Sequence, residues 1–258
     1  MSLPKVSIVI PTYRVNSKPY LDLCIKAVEN LNYPKDKVEV IISSHANYIP
    51  EYRIARNVLH PNPERSFAEA VNFGITNSDQ SSKHVLLLSD DTIPTKDSLM
   101  NMVLSVGNND ILAQGISNCD NHWLYNLAIF VKAENETMII SNRFYSLEDF
   151  GDNVKHFKNA ASLYPPGFLF PPTLCMYAAL IPRSVIAKVG LLDEQFRDGY
   201  EDSDYVERCR LKGIRAAICL NSLIFHFGGK TTGDTATPEI TEQNKKLFQA
   251  KWANPNPA

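Results

Sequence analysis

Short, almost entirely apolar segments alternate with helical segments in the first half of the chain, and this pattern limits the possible folds most. Val6–Ile10, Val38–Ile42 and Val85–Leu88 are the apolar segments. Apolar runs of this length are typical of strands that are buried on both faces of a sheet. Helical periodicity precedes Pro34, and a capping box that begins at Ser66 opens a second helix. The alternation predicts an α/β fold with a mostly parallel central sheet flanked by helices.

The second half of the chain is less regular, because proline-rich turns interrupt it, as at Tyr164–Gly167. Further helices are predicted after Thr95 as a cap, and with ends at Gly190, before Gly213 and near Trp252. Further strands are predicted at Ile111–Ile116, Leu127–Lys132, Thr137–Ile140, Leu174–Ile181 and Cys219–Phe227. We expect the last helix to dock through Ile240, Leu247 and Trp252. The pattern therefore predicts an α/β sheet with an irregular C-terminal half.

Composition excludes several classes of protein. A hydrophobic fraction of 44% argues against disorder, and a net charge of −2 without a basic stripe argues against nucleic-acid binding. The longest apolar run, Leu174–Ile181, is far shorter than the roughly 20 residues of a membrane span. No leader-like segment follows Met1, and the five cysteines show no CxxC pairing. These observations predict a cytoplasmic protein without disulfides or a transmembrane segment.

Polar residues follow three of the predicted strands, at Pro11–Arg14, Ser43–His45 and Ser89–Asp91. In an open parallel sheet, ligands bind outside the carboxyl ends of the strands. The adjacent carboxylates of Asp90 and Asp91 would repel one another there unless a cation compensates their charge. Carboxylates together with substrate phosphates are typical ligands of Mg²⁺ or Mn²⁺. A plain helix cap or exposed turn is the alternative interpretation.

Two further clusters could contribute to the same site. Acidic residues concentrate between Asp193 and Asp204, which is more than a helix start needs to balance its dipole. His226 alternates with aromatic residues in the last predicted strand. A histidine in such a strand is usually part of the core, and it becomes a candidate ligand only if the strand ends near Asp91.

Five motifs in this order resemble those of family 2 glycosyltransferases with the GT-A fold. The resembling segments are Ser7–Arg14, Asn62–Gly74, Leu87–Thr92, Gly190–Tyr205 and the residue His226. The match extends over nearly the whole chain. The resemblance implies inverting transfer of a hexosyl or deoxyhexosyl group from a nucleotide-diphosphate donor, most readily of the UDP or dTDP type, to an acceptor hydroxyl.

The resemblance also implies one GT-A domain over residues 1–258. It divides into a nucleotide-binding half (about 1–115), an acceptor-binding half (about 116–230), and a loop with a C-terminal helix (231–258). The implied acceptor is a glycan or a lipid-linked saccharide, which makes peripheral membrane contact compatible with the prediction. The implied cofactor is Mn²⁺ or Mg²⁺.

The family's functional residues carry over to particular positions. Asp91 corresponds to the metal ligand, with His226 as a further ligand, and Asp202 to the general base, with Glu201 as the alternative. The residues implied to bind the donor are Pro11, Thr12, Tyr13, Ser44, Asn72 and Asp90. Ser44 departs from the pattern, because the family usually has an aspartate there that reads the nucleobase. Pro63–Arg65 also departs from the family motif.

Two alternatives stay open at the level of sequence. A sugar nucleotidyltransferase would need a glycine-rich basic loop after the first strand, and Pro11–Arg14 contains no glycine. A sugar-nucleotide-binding protein without turnover is compatible with Ser44 but would not need a base at Asp202. The glycine-flanked segment 228–236 is predicted either as a lid, with Lys230 near the diphosphate, or as a plain connector.

Overall fold

A computed structural model describes residues 2–13, 15–45, 50–62, 66–117, 129–133, 136–140, 161–230 and 236–253. The strands are β1 (Val6–Pro11), β2 (Val38–His45), β3 (Ala55–His60), β4 (His84–Leu88), β5 (Thr92–Pro94), β6 (Ile111–Ile116), β7 (Ile129–Ala133), β8 (Glu136–Ile140), β9 (Ala161–Ser162), β10 (Phe168–Leu169), β11 (Ala178–Pro182) and β12 (Arg215–His226). The helices are α1 (Lys18–Glu29), α2 (Phe67–Thr76), α3 (Ser98–Val106), α4 (Arg183–Val189), α5 (Glu201–Leu211) and α6 (Pro238–Trp252).

The main sheet draws strands from both halves of the chain. Its order is β10-β12-β6-β11-β4-β1-β2-β3, and β5 pairs separately with β12. Among these described strands, β1 pairs in parallel with β2 and β4, as do β2 with β3 and β6 with β12. β11 runs antiparallel to both of its neighbours, β4 and β6. The predicted α/β architecture with a mostly parallel central sheet is confirmed, and β7, β8 and β9 form a separate small sheet.

Helices cover both faces of the central strands. Val9 packs in the same core cluster as Val71 of α2, whereas Ile8 packs in a second cluster with Leu21 of α1. This double burial explains why β1 is apolar along its length. A Cβ atom on Gly74 of α2 would lie 2.4 Å from Cγ1 of Val9, so glycine permits the close approach of α2 to the sheet.

The predicted elements differ from the structure mainly at their ends. β3 and β5 were not predicted, because β3 is a half-buried edge strand and β5 is only three residues long. The capping role predicted for Thr95 is wrong: Asp97 precedes α3, and the Thr95 hydroxyl donates a hydrogen bond to the Leu223 carbonyl. β11 begins four residues later than predicted, and β12 begins at Arg215. The first two residues of the predicted strand at 127–132 lie outside the described residues.

α6 packs against the described part of the protein with one buried and several half-buried side chains. Ile240, Leu247 and Trp252 are half-buried. Within this fully described helix, the one buried side chain is that of Asn244. Thr237 caps the helix by accepting a hydrogen bond from the Ile240 amide, at 3.3 Å. Over the described ranges, no helix is both long enough and apolar enough to cross a bilayer.

Candidate active site

The carboxyl ends of β1, β2 and β4 lie side by side because β1 pairs in parallel with both neighbours. The Thr12 amide donates to the Ser43 carbonyl at 3.0 Å, which extends this pairing beyond β1. The Thr12 hydroxyl donates to Oδ2 of Asp90 at 2.7 Å and lies 3.1 Å from the Ser17 hydroxyl. A buried aspartate at the end of β4 is thus held by the loop that follows β1.

Asp91 is buried and is contacted by residues at and just after the end of β12. Its Oδ1 lies 3.1 Å from Nε2 of His226, and its Oδ2 accepts a hydrogen bond from the Lys230 amide at 3.1 Å. The Phe227 amide donates to the Asp91 carbonyl at 3.0 Å. Burial opposes ionisation of this carboxyl, but His226 and the Lys230 amide outweigh it and hold the pKa of Asp91 below its ordinary value. The carboxylate form is therefore favoured.

β12 brings His226 to this position. It pairs antiparallel with β5, and the register sets His226 opposite Thr92, the residue after Asp91. The Tyr177 ring stacks on the imidazole with centroids 4.7 Å apart, and its hydroxyl donates to the Gly115 carbonyl at 2.6 Å. The condition stated for His226, that its strand should end near Asp91, is met.

Asp91 and His226, which the family resemblance implies as cation ligands, bring one carboxylate and one imidazole together. Among the described residues, no group of three or more histidine, cysteine, aspartate or glutamate side chains is arranged to hold a metal ion. Mg²⁺ and Mn²⁺ usually take one or two protein carboxylates and complete their coordination with waters and substrate phosphates. One carboxylate and one imidazole would meet this requirement only with phosphate oxygens and waters in the remaining positions.

A loop with unusual backbone geometry leads to α5. Asp198, Gly199 and Tyr200 have φ angles of 52°, 146° and 71°. A residue other than glycine in the left-handed region raises the conformational energy by about 1–3 kcal/mol. Such residues therefore persist only where other contacts hold them. Asp198 accepts a hydrogen bond from the Phe67 amide at 2.9 Å, which ties the loop to the start of α2.

The left-handed turn at Tyr200 directs the first residue of α5 into the site. The Gly199 amide donates to Oε2 of Glu201 at 2.6 Å. Burial, reinforced by the neighbouring Asp202, raises the pKa of Glu201. Burial also raises the pKa of Asp202, although the Ser203 amide, 2.6 Å from Oδ1 of Asp202, opposes the change. Raised carboxyl pKa values are expected of groups that exchange protons near neutral pH.

These groups surround a cavity of about 190 Å³. Its lining residues are Pro11, Phe67, Ser89, Asp90, Asp91, Cys175, Tyr177, Asp198, Gly199, Glu201, His226 and Gly229. Of the predicted site residues, the structure brings Pro11, Asp90, Asp91, Glu201 and His226 into this lining. Of the two candidate bases, Glu201 lines the cavity, whereas Asp202 does not.

The other predicted donor-binding residues lie outside the lining. Thr12 contacts Asp90 from outside the cavity, and Tyr13 follows it in the same loop. Ser44 is fully buried near the end of β2, and its hydroxyl has no hydrogen-bond partner within the described part of the chain. Asn72 instead binds the chain itself: its amide nitrogen donates to the Leu192 carbonyl at 2.9 Å and to Glu194 at 2.8 Å.

Sequence reasoning did not identify Phe67, Cys175, Tyr177 or Asp198 as lining residues. Tyr177 and Cys175 reach the cavity because β11 is antiparallel to β4, which pairs Ala178 with Leu88. The start of β11 therefore lies at the same edge as the end of β4. The apolar run that predicts this strand does not indicate whether the strand pairs in parallel or antiparallel.

The start of the predicted lid lies beside Asp91. Gly228 and Gly229 have φ angles of 75° and 64°, which turn the chain back so that the Lys230 amide reaches the Asp91 carboxylate. Residues 231–235 lie outside the described residues. The lid and the connector both stay predictions.

Comparisons with known proteins identify the family and the fold of the chain. The sequence profile described as "Glycosyl transferase family 2" matches residues 7–178. The chain belongs to this family. A search of curated proteins finds no significant match.

Solved structures share the fold at low sequence identity. GalNAc-T7, solved with UDP, GalNAc and Mn²⁺, has a TM-score of 0.67 at 12% identity, over 98% of this chain and 49% of that one. The mannosyltransferase PcManGT from Pyrobaculum calidifontis, in complex with GDP-Man and Mn²⁺, has a TM-score of 0.58 at 16% identity, over 88% of this chain and 57% of that one. S. aureus TarS 1-349 with UDP-GlcNAc has a TM-score of 0.60 at 13% identity, over 98% and 68%. The fold is GT-A, and the chain spans about half the length of the first two proteins.

Proposed function

We propose that this protein is a glycosyltransferase that moves a sugar from a nucleotide-diphosphate donor to an acceptor hydroxyl, with inversion and with assistance from Mn²⁺ or Mg²⁺. The observation that carries the proposal is a single cavity lined both by the Asp91–His226 pair and by Glu201. Membership of glycosyl transferase family 2 supports the reaction class. Separate cation-binding and proton-accepting groups are what such a transfer requires.

The donor's diphosphate belongs at the end of β4 in this proposal. Asp91 and His226 would hold a divalent cation, which when bound neutralises the charge that develops on the diphosphate leaving group. Asp90, oriented by Thr12, would contact the ribose or the cation's water shell. The buried, unpartnered hydroxyl of Ser44 supports a role in contacting the nucleobase, together with Pro11, Thr12 and Tyr13. Asn72 would support the donor site through its contacts with residues 192 and 194.

The acceptor's proton goes to one of the paired carboxylates at the start of α5. Asp202 is the family's position for the base, whereas Glu201 is the one that lines the cavity. Either group would accept the proton as the hydroxyl attacks the anomeric carbon from the face opposite the leaving diphosphate. Burial raises the pKa of both carboxyls, which makes each a stronger proton acceptor once it is ionised.

We propose a UDP or dTDP donor, a hexosyl or deoxyhexosyl group, a glycan or lipid-linked saccharide acceptor, and a cytoplasmic location. TarS binds UDP-GlcNAc and PcManGT binds GDP-Man, so the nucleobase of the donor is to be determined by experiment. We also propose that the chain works as one domain, because both halves contribute strands to one sheet.

The test is a thermal-shift screen of UDP, dTDP and GDP sugars with and without Mn²⁺, followed by transfer assays with saccharide acceptors. We expect one class of nucleotide to stabilise the protein more strongly with the cation, and the product to have the inverted anomeric configuration by NMR. Donor binding without hydrolysis or transfer would favour the binding-protein alternative. Absence of binding by every nucleotide would contradict the proposal, and formation of a sugar nucleotide from a nucleoside triphosphate would favour a nucleotidyltransferase.

A further inference from the structure

The C-terminal helix α6 contacts the loop that carries Glu201 and Asp202 through an unusual buried residue. Asn244 is 4% exposed in a helix whose other residues are half-buried or exposed. Its Oδ1 accepts a hydrogen bond from the Arg197 amide at 3.3 Å, and its Nδ2 donates to the Arg197 carbonyl at 2.7 Å. One side chain thus occupies both main-chain groups of the residue that precedes the left-handed segment.

The segment that follows Arg197 needs such support. Residues 198–200 all have positive φ angles, and two of them are not glycine. Asp198 is tied to the Phe67 amide at the start of α2. Because residues in this backbone region relax when their contacts are lost, the direction in which Glu201 leaves the segment depends on those contacts.

Aromatic and charged contacts hold the same helix on either side of the segment. The Phe248 ring lies 6.4 Å from that of Phe196 and 5.4 Å from that of Tyr200, measured between centroids. The fully buried Asp204 in α5 accepts from the Trp252 indole at 3.1 Å and lies 2.6 Å from Nζ of Lys251. α6 therefore fixes the main chain before the loop and the first turn of the helix after it.

A helix that only covered apolar surface would place a leucine where Asn244 stands. A buried amide is destabilising unless its hydrogen bonds are made, and here the partners are main-chain atoms of one particular loop conformation. The residue therefore specifies geometry rather than adding apolar burial.

We propose that Asn244 is a positioning residue that holds the loop of residues 197–200 so that the carboxylates of Glu201 and Asp202 are aligned with the cavity. The inference deepens the proposed function, on which it rests. Misplacing a catalytic group by about 1 Å can slow turnover on the order of 100-fold, while donor binding at the β1 and β4 ends needs no contact with α6.

The test compares Asn244→Leu with Gln243→Leu, a matched change at an exposed neighbour on the same helix. We expect Asn244→Leu to lower kcat about 10–100-fold with an unchanged donor KM, and to accelerate hydrogen exchange in residues 197–203. Gln243→Leu should leave both measurements unchanged. If Asn244→Leu does not fold, kcat and hydrogen exchange are measured on the isosteric Asn244→Asp instead. This variant keeps the acceptor for the Arg197 amide and loses only the donor to the Arg197 carbonyl.

Two results would overturn the inference: unchanged exchange in the loop, or faster exchange with undiminished kcat. A loss confined to donor KM would also overturn it, since that would place the effect in donor binding. Absence of transfer by the unaltered protein would contradict the proposed function alone. The exchange rates would still decide whether Asn244 holds the loop.

Discussion

The two groups of residues that line the cavity are held in different ways. Asp90 and Asp91 follow one residue after the end of β4, a fully buried strand in the middle of the sheet. Glu201 follows three residues with positive φ, which are held by the Phe67 amide of α2 through Asp198 and by the Asn244 side chain of α6 through Arg197. The contrast teaches that strand pairing positions Asp90 and Asp91, here called the sheet side, whereas side-chain contacts with distant elements position Glu201, here called the carboxylate side. Changes on the first side should alter binding and stability, and changes on the second should alter turnover.

The largest expected effect lies on the carboxylate side. Asp202→Asn or Glu201→Gln, whichever removes the base, should lower kcat by about 10²–10⁴-fold and leave donor affinity intact. Glu207→Gln, farther along α5, is the control. Steady-state kinetics and donor calorimetry measure both quantities. Equal, small losses in both variants would show that neither carboxylate is the base.

Asp91→Asn is the corresponding change on the sheet side. If Asp91 holds the cation as proposed, the gain in donor affinity on adding Mn²⁺ should disappear, because loss of a ligand should cost at least the roughly 10–100-fold in cation affinity that loss of an outer-shell partner costs. Asp110→Asn, which affects a surface ion pair with Lys188, should keep the gain. Calorimetry with and without Mn²⁺ checks the prediction. A gain that survives in Asp91→Asn would contradict this role for Asp91.

His84 tests the stability of the sheet side through pH. It is buried at the start of β4, and neither ring nitrogen has a hydrogen-bond partner among the described residues. Burial, with a smaller contribution from Lys83, lowers the pKa of His84 to about 4. The folded protein therefore favours the neutral ring, and its free energy of unfolding should fall by about 3 kcal/mol as the pH drops from above 6.5 to 4.

Denaturant unfolding of the protein and of His84→Leu measures this dependence. The variant should be less sensitive to pH over the same range, since it has no ring to protonate. Identical pH profiles would show that other groups are responsible.

Gly74→Ala probes the close contact of α2 with β1. The added Cβ would meet Val9 at 2.4 Å, so the substitution should lower the free energy of unfolding by about 1–3 kcal/mol. Gly167→Ala, where the nearest atoms are 4.0 Å away, should change it by less than about 0.5 kcal/mol. Denaturant unfolding distinguishes them. Equal stability of the two variants would mean that α2 can shift away from the sheet without loss.

Ser44→Ala should have the smallest effect. The hydroxyl has no partner among the described residues, so removing it should not destabilise the protein. If it contacts the nucleobase, donor affinity should fall by about 2–10-fold, the value of one neutral hydrogen bond. Ser81→Ala, at an exposed position, is the control in donor titrations. Unchanged affinity in Ser44→Ala would exclude that contact.

The sheet side could be predicted from the sequence to a large extent because its signals are local. Apolar runs mark β1, β2 and β4, and the capping box at Ser66 is present in the structure as predicted. The approach of His226 to Asp91 follows from the order of the strands, for which the family motifs are the only sequence signal.

The carboxylate side could not be predicted in the same detail. Which of Glu201 and Asp202 lines the cavity depends on the left-handed turn at Tyr200, a residue type that gives no sign of this conformation. The contact of Asn244 with Arg197 joins two segments of ordinary polar sequence. Such long-range polar contacts leave no periodic pattern.

The contacts of Asp91 have a consequence for the order of assembly during synthesis. The Lys230 amide that binds its carboxylate lies 139 residues farther along the chain. β12, which delivers His226, also inserts between β10 and β6 and must pair with strands on both sides. Contacts between residues so far apart in sequence form late, because the entropy of closing the long loop between them is lost before the contacts compensate for it. A growing chain therefore carries β1, β2 and β4 with an incomplete site at their ends, and we expect cation-dependent donor binding to begin only after β12 has emerged from the ribosome and joined the sheet.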